Sequence, residues 1–215
     1  MALGLSCKIL SNQEINIFKE KINILLSRKG VKIEHPEVLE LLRKSGVQIN
    51  TSSNTVCFPE YLIEEMLEQV PQSFTLAGID SKNDLLFPHP DGLFYTRTCT
   101  GGMNYLNESG EYHNITLDEV EEFTRLSDYL ENIDFCSLPS TSPRDVPAKT
   151  VDIHTLKAVF KNTSKHVWLQ PYESKNIKYL IEMAAIMVGG EDQLRHRPII
   201  SFISCSSTPF QYKYM

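Results

Sequence analysis

The sequence predicts an α/β protein, the leading part of a barrel of parallel strands. Three observations predict it. Short runs read as strands at 134–140 (DFCSLPS), 166–171 (HVWLQP) and 199–205 (IISFISC), with starts 32 and 33 residues apart. An amphipathic helical stretch fills each gap, and a strand–helix repeat of that length is the βαβ unit, whose crossover makes the strands parallel. Three parallel strands leave two long unpaired edges, which stable domains avoid, and the last residues, FQYKYM, carry no stop signal. A longer barrel, of the kind that serves enzymes, is therefore expected. Bare outer edges at 134–140 and 199–205 would also make the isolated piece oligomeric or prone to aggregate.

The elements follow in order. Ser11 can cap a helix whose apolar face is Ile15, Phe18, Ile22, Leu25 and Leu26, and Gly30 stops it. Pro36 opens a second helix with Val38, Leu39 and Leu42, closed by Gly46. Pro59 opens a third with Leu62, Ile63, Met66, Leu67 and Val70, ended by Pro71. Strand-like pieces at 55–58 and 73–77 sit beside it. From 80 to 112 the pattern is turns and hairpin-like β, with Pro88, Pro90, Asp91-Gly92 and 107–110 as turn signals. Between them lies GLFYTRTCTGGMNYL, whose Gly101-Gly102 pair suits a bulge or tight strand crossing better than a ligand loop. Thr116 and Glu119 form a capping box before a face of Val120, Phe123, Leu126 and Leu130. Helices are then expected at 150–161, burying Ile153, Leu156, Val159 and Phe160, and at 174–188, burying Ile177, Leu180, Ile181, Ala184 and Val188. Gly189-Gly190 ends the last one, and Pro198 enforces extended entry to the third strand. This order divides the chain into a helical cap (1–79), a hairpin and turn region (80–115) and the first part of a barrel (116–215).

Composition narrows the function classes. The chain is 41% hydrophobic and 22% charged with a net charge of −6, and no basic run offsets that charge. A nucleic-acid partner is therefore not expected. Five widely spaced cysteines include no C-x-x-C pair, which disfavours a disulfide framework or zinc knuckle and fits reduced thiols in the cytoplasm. The opening MALGLSCKIL does not read as a signal peptide. No apolar run approaches the ~18 residues that span a bilayer.

Chemistry in such a barrel sits on the loops after the C-terminal strand ends. That rule selects 140–145 after the first strand, Gln170, Tyr172 and Glu173 after the second, and Ser206, Ser207, Thr208 and Phe210 after the third. These loops are polar but poor in acid–base groups. Glu173 can act as a base, although a carboxylate in the first turn of a helix is already explained by the dipole. His166 begins a strand, at the end that reads as stability. Cys136 and Cys205 lie in separate strands and, with no histidine in either loop, make a poor metal site. No nucleotide, nucleophile-elbow or metalloprotease motif is present. Tyr172, Trp168, Phe94 and Tyr95 offer aromatic faces of the kind that attract ammonium groups, with core packing the simpler role for Trp168 and Phe94.

Four collinear stretches carry a resemblance. They are LSNQEINIFKEKINILLSRKGVKIEHPEVLELLRKSGVQIN, VCFPEYLIEEMLEQVPQSFTLAGIDSKNDL, ITLDEVEEFTRLSDYLENIDFCSLP and GGEDQLRHRPIISFISCSSTPF. Together they resemble the trimethylamine methyltransferase family over nearly the whole chain. The resemblance implies a cytoplasmic (β/α)8 TIM barrel more than twice this length, of which this chain holds the first three βα units. It implies transfer of a methyl group from trimethylamine, or from a quaternary amine such as glycine betaine, to the cobalt of a corrinoid (cobalamin-type) group on a partner protein. The chain itself would then bind no metal or cofactor. Some family members carry pyrrolysine, at a position beyond Met215. Ser140, Gln170, Tyr172, Glu173 and Ser206 would line the substrate mouth, with catalytic residues unassigned. Homo-oligomers are expected for the full-length protein, and neither nucleic acid nor membrane as partner. The alternative is a non-catalytic truncated or assembly fragment of such a barrel.

Overall fold

The computed structural model describes residues 9–99, 102, 104–137, 143–203 and 206–213. The chain divides into two compact units, Met1–Gln72 with Cys205–Met215, and Ser73–Ser204.

In the first unit, helix α1 (Asn12–Ile24) starts at a capping box in which Ser11 and Glu14 satisfy each other's backbone N–H groups. A π-helical turn, Leu25–Lys29, extends it to Gly30. Gly30 has φ +71°, and a Cβ there would collide with the Val56 carbonyl. Only glycine meets both conditions. Strand β1 (Val31–Ile33), helix α2 (Pro36–Lys44), β2 (Gln48–Asn50), β3 (Thr55–Cys57) and α3 (Glu60–Glu68) follow. β3 pairs antiparallel with both β1 and β2, and Gln211–Tyr212 joins the other side of β1 in parallel. Val31, Ile33, Val47 and Val56 form the core, with Leu26, Leu39, Leu42 and Leu62 packed on it. The expected apolar face of α1 is not buried: Ile15, Phe18, Ile22 and Leu25 are exposed, and only Leu26 reaches the core. Leu62, Met66, Leu67 and Val70 line an open apolar cavity of about 450 Å³.

The second unit opens with two antiparallel pairs, β4 (Phe74–Leu76) with β5 (Leu85–Phe87) and β6 (Asn104–Leu106) with β7 (Tyr112–Asn114). Helix α4 (Leu117–Tyr129) begins at the expected Thr116–Glu119 capping box. It buries Val120 and Thr124, whereas Leu126 and Leu130 stay exposed. Then come β8 (Cys136–Ser137), α5 (Val151–Phe160), β9 (Val167–Leu169), α6 (Ile177–Val188), α7 (Glu191–His196) and β10 (Ile200–Phe202). Helix α7 lies between Gly189-Gly190 and Pro198, where the sequence predicts no helix. Its Glu191 and Asp192 start and Arg195 and His196 end complement the helix dipole.

β8, β9 and β10 are parallel neighbours in the order β10-β9-β8. Their register sets Cys136, Val167 and Ile200 in one row and Ser137, Trp168 and Ser201 in the next. Side chains alternate across a sheet, so Val167 and Ile200 of the first row, with Leu169, bury against Leu156, Val159, Leu180 and Ala184 of α5 and α6, and Cys136 is buried as well. The second row faces the other way.

The β8 edge differs from the sequence expectation. Residues 96–98 run along it in parallel: Asp134 and Phe135 N–H donate to the Thr96 carbonyl at 3.0 and 3.3 Å, and the Thr98 hydroxyl donates to the Ser137 carbonyl at 2.7 Å. The edge thus has partners from the turn region, which carries no strand periodicity there. Among the described residues, no strand pairs with the outer edge of β10.

Two polar clasps tie the unit together. Asp128, in the last turn of α4, accepts from the Thr163 hydroxyl (2.9 Å) and the Ser164 N–H (2.7 Å). Lys165 Nζ donates to the Ser127 and Leu130 carbonyls at 2.8 and 2.9 Å, satisfying that helix end. Burial pushes the Asp128 carboxyl up, but these hydrogen bonds and the Lys165 charge outweigh it and leave the group below its ordinary range. The second clasp is the Arg197 guanidinium, bidentate on Asp84 at 2.7 and 2.9 Å and bonded to the Gly78 carbonyl at 3.1 Å. The Arg197 hydrogen bonds hold the Asp84 carboxyl below its ordinary value.

Candidate functional site

Residues 143–151, which follow β8 in the chain, meet the loop after β9 at Tyr172. Pro143, Arg144, Val146, Ala148, Val151 and Tyr172 line a cavity of about 230 Å³ there. Its floor is held by Asp152, 1% exposed, in the first turn of α5. Asp152 accepts from the Tyr172 N–H at 3.2 Å, from its neighbour Ile153 N–H at 2.9 Å and from Asn176 Nδ2 at 2.8 Å. Asn176 Nδ2 also donates to the Lys149 carbonyl at 2.8 Å. One buried carboxylate therefore fixes the loop after β9 against the start of α5. A carboxylate at a helix N-terminus is favoured by the dipole, and its three donors offset the cost of burial. On the neighbouring loop, Asp145 accepts from the Leu117 N–H at the start of α4.

Below this rim lies the polar row of the sheet. The Arg97 guanidinium sits 4.1 Å from the centroid of the Trp168 ring. Its Nη1 donates to the Ser137 hydroxyl at 2.6 Å and to the Thr98 carbonyl at 3.0 Å. Farther down, at the N-terminal end of β9, His166 is 1% exposed. Its Nδ1 lies 2.9 Å from the Ala77 carbonyl and its Nε2 2.7 Å from the Ser201 hydroxyl. A carbonyl only accepts, so Nδ1 carries the proton and Nε2 accepts from Ser201. Burial pushes the His166 pKa down, against the pull of the Ala77 carbonyl.

The sequence-selected residues distribute as follows. Gln170 and Tyr172 are exposed on the β9 loop, Tyr172 at 46% and on the cavity wall. Glu173 stands at the N-cap position of the following 3-10 turn without a side-chain cap bond and pairs with Lys175 at 3.6 Å. Those three share one loop. Ser206 is exposed and belongs to the first unit. Ser140 lies outside the described residues, as does Cys205. Cys136 is buried, and burial pushes its thiol up. Among the described residues, no cluster of three or more His, Cys, Asp or Glu side chains could hold a metal ion.

Sequence reasoning passes over Arg97, Ser137 and Asp152. Arg97 stands in a turn-rich stretch remote from the strands, and only the tertiary bridge to Phe135 brings it to the sheet. Trp168 is half-buried under Arg97 instead of being enclosed in the core. Tyr95 packs on Phe87 and His89 with its hydroxyl on the Leu86 carbonyl, and Phe94 is exposed.

A family model described as trimethylamine methyltransferase (MTTB) matches residues 5–214. The chain belongs to that family. It is similar to trimethylamine methyltransferase MttB of Desulfitobacterium hafniense (strain DSM 10664 / DCB-2), 30% identical over 202 residues covering 94% of this chain and 40% of that protein. It is also similar to trimethylamine methyltransferase MttB of Methanosarcina thermophila, 28% identical over 214 residues covering 97% and 44%. Similarity to the glycine betaine methyltransferase of Desulfitobacterium hafniense (strain Y51) is 23% over 205 residues, covering 95% and 42%. The chain spans about two fifths of the length of these relatives.

Proposed function

We propose that this chain supplies the leading βα units of a cytoplasmic (β/α)8-barrel methyltransferase. On this reading it takes a methyl group from a small methylated amine and delivers it to the cobalt of a corrinoid carried by a partner protein. The observation that carries the reading is the family match across residues 5–214, borne by relatives named for trimethylamine and glycine betaine. The parallel order of β8, β9 and β10 and the cavity formed by residues that follow β8 and β9 support it.

The acceptor's reduced cobalt supplies the nucleophile. A quaternary ammonium leaves as the neutral tertiary amine with the electrons of the broken C–N bond and needs no proton donor, whereas trimethylamine leaves as neutral dimethylamine only when its nitrogen already carries a proton. The chain's residues bind, orient and exclude water, which are the contributions proximity makes to such a displacement. Tyr172 and Trp168 offer the aromatic surface that favours an ammonium, Gln170 lies between them in sequence, and Asp152 holds the Tyr172 loop in place. The test is cobalt methylation by the full-length polypeptide with a reduced corrinoid protein and a panel of methylated amines. Methyl-cobalt formation with one amine is expected, and none with any amine refutes the reading. The alternative reading is a non-catalytic piece of such a barrel. Coding sequence that continues past Met215 with further strand–helix units supports the first reading, and a genuine stop there supports the second.

A further inference from the structure

We propose that the first unit is a self-association module, in which α1 of one copy seats in the α2–α3 groove of a second copy of this chain. The inference is independent of the methyl-transfer chemistry and rests on the first unit alone. Helix α1 buries none of its residues. Yet Ile15, Phe18, Ile22 and Leu25 form a stripe at three- and four-residue spacing and are 38–58% exposed. A 13-residue helix is marginal in water by itself, so the stripe is left for a partner to cover. The acceptor surface is the open apolar cavity of about 450 Å³. Its wall on α3 includes Met66, Leu67 and Val70, which are 46–62% exposed. Stripe and groove are one continuous patch: Leu25 ends the first, Leu26 lines the second, and Asn23 Nδ2 donates to Glu60 Oε1 at 2.7 Å, tying α1 to α3. A patch that carries both a ridge and a groove can meet its own copy about a twofold axis, each ridge filling the other's groove.

Two observations select a second copy as the occupant. The first is charge. At about 3.6 residues per turn, Lys19 and Lys21 flank the stripe on its two sides, and Glu64 and Glu65 flank the apolar face of α3. All four are exposed. Among the described residues Lys19, Glu64 and Glu65 have no ion-pair partner, and Lys21 reaches only Glu20, at 3.9 Å. Stripe against stripe would set lysine near lysine, whereas stripe in groove sets lysine near glutamate. The second is area. The exposed stripe and α3 side chains together offer roughly 600 Å² of apolar surface, and a standard interface takes about 800 Å² from each partner, a little over half of it apolar.

The test is sedimentation velocity of the 215-residue chain under reducing conditions, with circular dichroism as the check on folding. A dimer that dissociates on dilution through the micromolar range is expected. Phe18→Glu and Leu67→Glu change exposed positions outside the core of the unit. Each is expected to raise the dimer dissociation constant at least about 10-fold while the helical signal is kept. Lys19→Glu with Lys21→Glu is expected to weaken the dimer as well, and adding Glu64→Lys with Glu65→Lys to restore it, which unspecific apolar association would not do. A monomer throughout the range overturns the inference. An oligomer that both Phe18→Glu and Leu67→Glu leave intact overturns it too, and assigns association to the outer edge of β10. Charge reversal that the second pair fails to restore overturns the seating of α1 in the groove.

Discussion

His166 should make the second unit acid-sensitive at pH values above those at which Asp84, Asp128 and Glu119 are protonated. In the folded chain its Nε2 accepts from the Ser201 hydroxyl and its Nδ1 donates to the Ala77 carbonyl. Protonation would place a charge inside a site that is 1% exposed and would force the Ser201 hydroxyl to turn from donating to accepting. Burial accordingly holds the folded pKa below the ordinary 6.5. The sign follows from proton linkage. Below 6.5 the unfolded chain takes up a proton that the folded chain refuses. Stability is therefore fully present above that value and declines as pH falls toward the folded pKa. The slope for one proton approaches about 1.4 kcal/mol per pH unit. Asp84, Asp128 and Glu119 have pKa values lowered by folding, so their losses begin only near their unfolded values of 3.8 and 4.5. Urea denaturation followed by Trp168 emission, on the same strand as His166, should show the midpoint falling steadily between about pH 6.5 and about pH 5. His166→Gln, which cannot titrate, should flatten that dependence. A flat profile in the parent chain, or an equal slope in the variant, would refute the assignment of the neutral tautomer.

Further outcomes follow from other sites. Gly30→Ala should destabilise the first unit by about 3 kcal/mol or more in chemical denaturation, because it combines a left-handed backbone with a collision against the Val56 carbonyl. Arg197→Lys keeps the charge but loses the fork on Asp84 and Gly78. It should cost about 1–2 kcal/mol, with a smaller deficit at high salt since both side chains are partly exposed. Asp152→Asn sets an amide where three donors converge. It should cost about 1–3 kcal/mol and speed hydrogen exchange at the Tyr172 amide, with protection unchanged if the loop is held otherwise.

How much was legible in the sequence depended on whether the cause was local. Helix starts at Ser11, Pro36 and Thr116 and stops at Gly30 and Gly189 are set by residues within one turn, and they were readable. The strands at 167–169 and 200–202 were readable from their apolar runs and spacing. The α1 face misled, because periodicity reports that a helix has an apolar side and not that anything covers it. At the site, the strand-end rule found Tyr172 because the loop follows β9 directly. It missed Asp152, which appears in the sequence only as one more acidic residue at a helix start. It also missed Arg97, whose role exists only through the bridge to Phe135, 38 residues later.

The clasp between α4 and the start of β9 has a consequence for dissection of the chain. Asp128 and Lys165 sew together segments that flank the stretch from β8 to α5, and the Arg125 to Asn162 hydrogen bond adds a third stitch. A protease nick at Asp145–Val146 would therefore yield two polypeptides that stay associated. The same position offers a split point at which separately expressed halves should reassemble and recover the emission of Trp168.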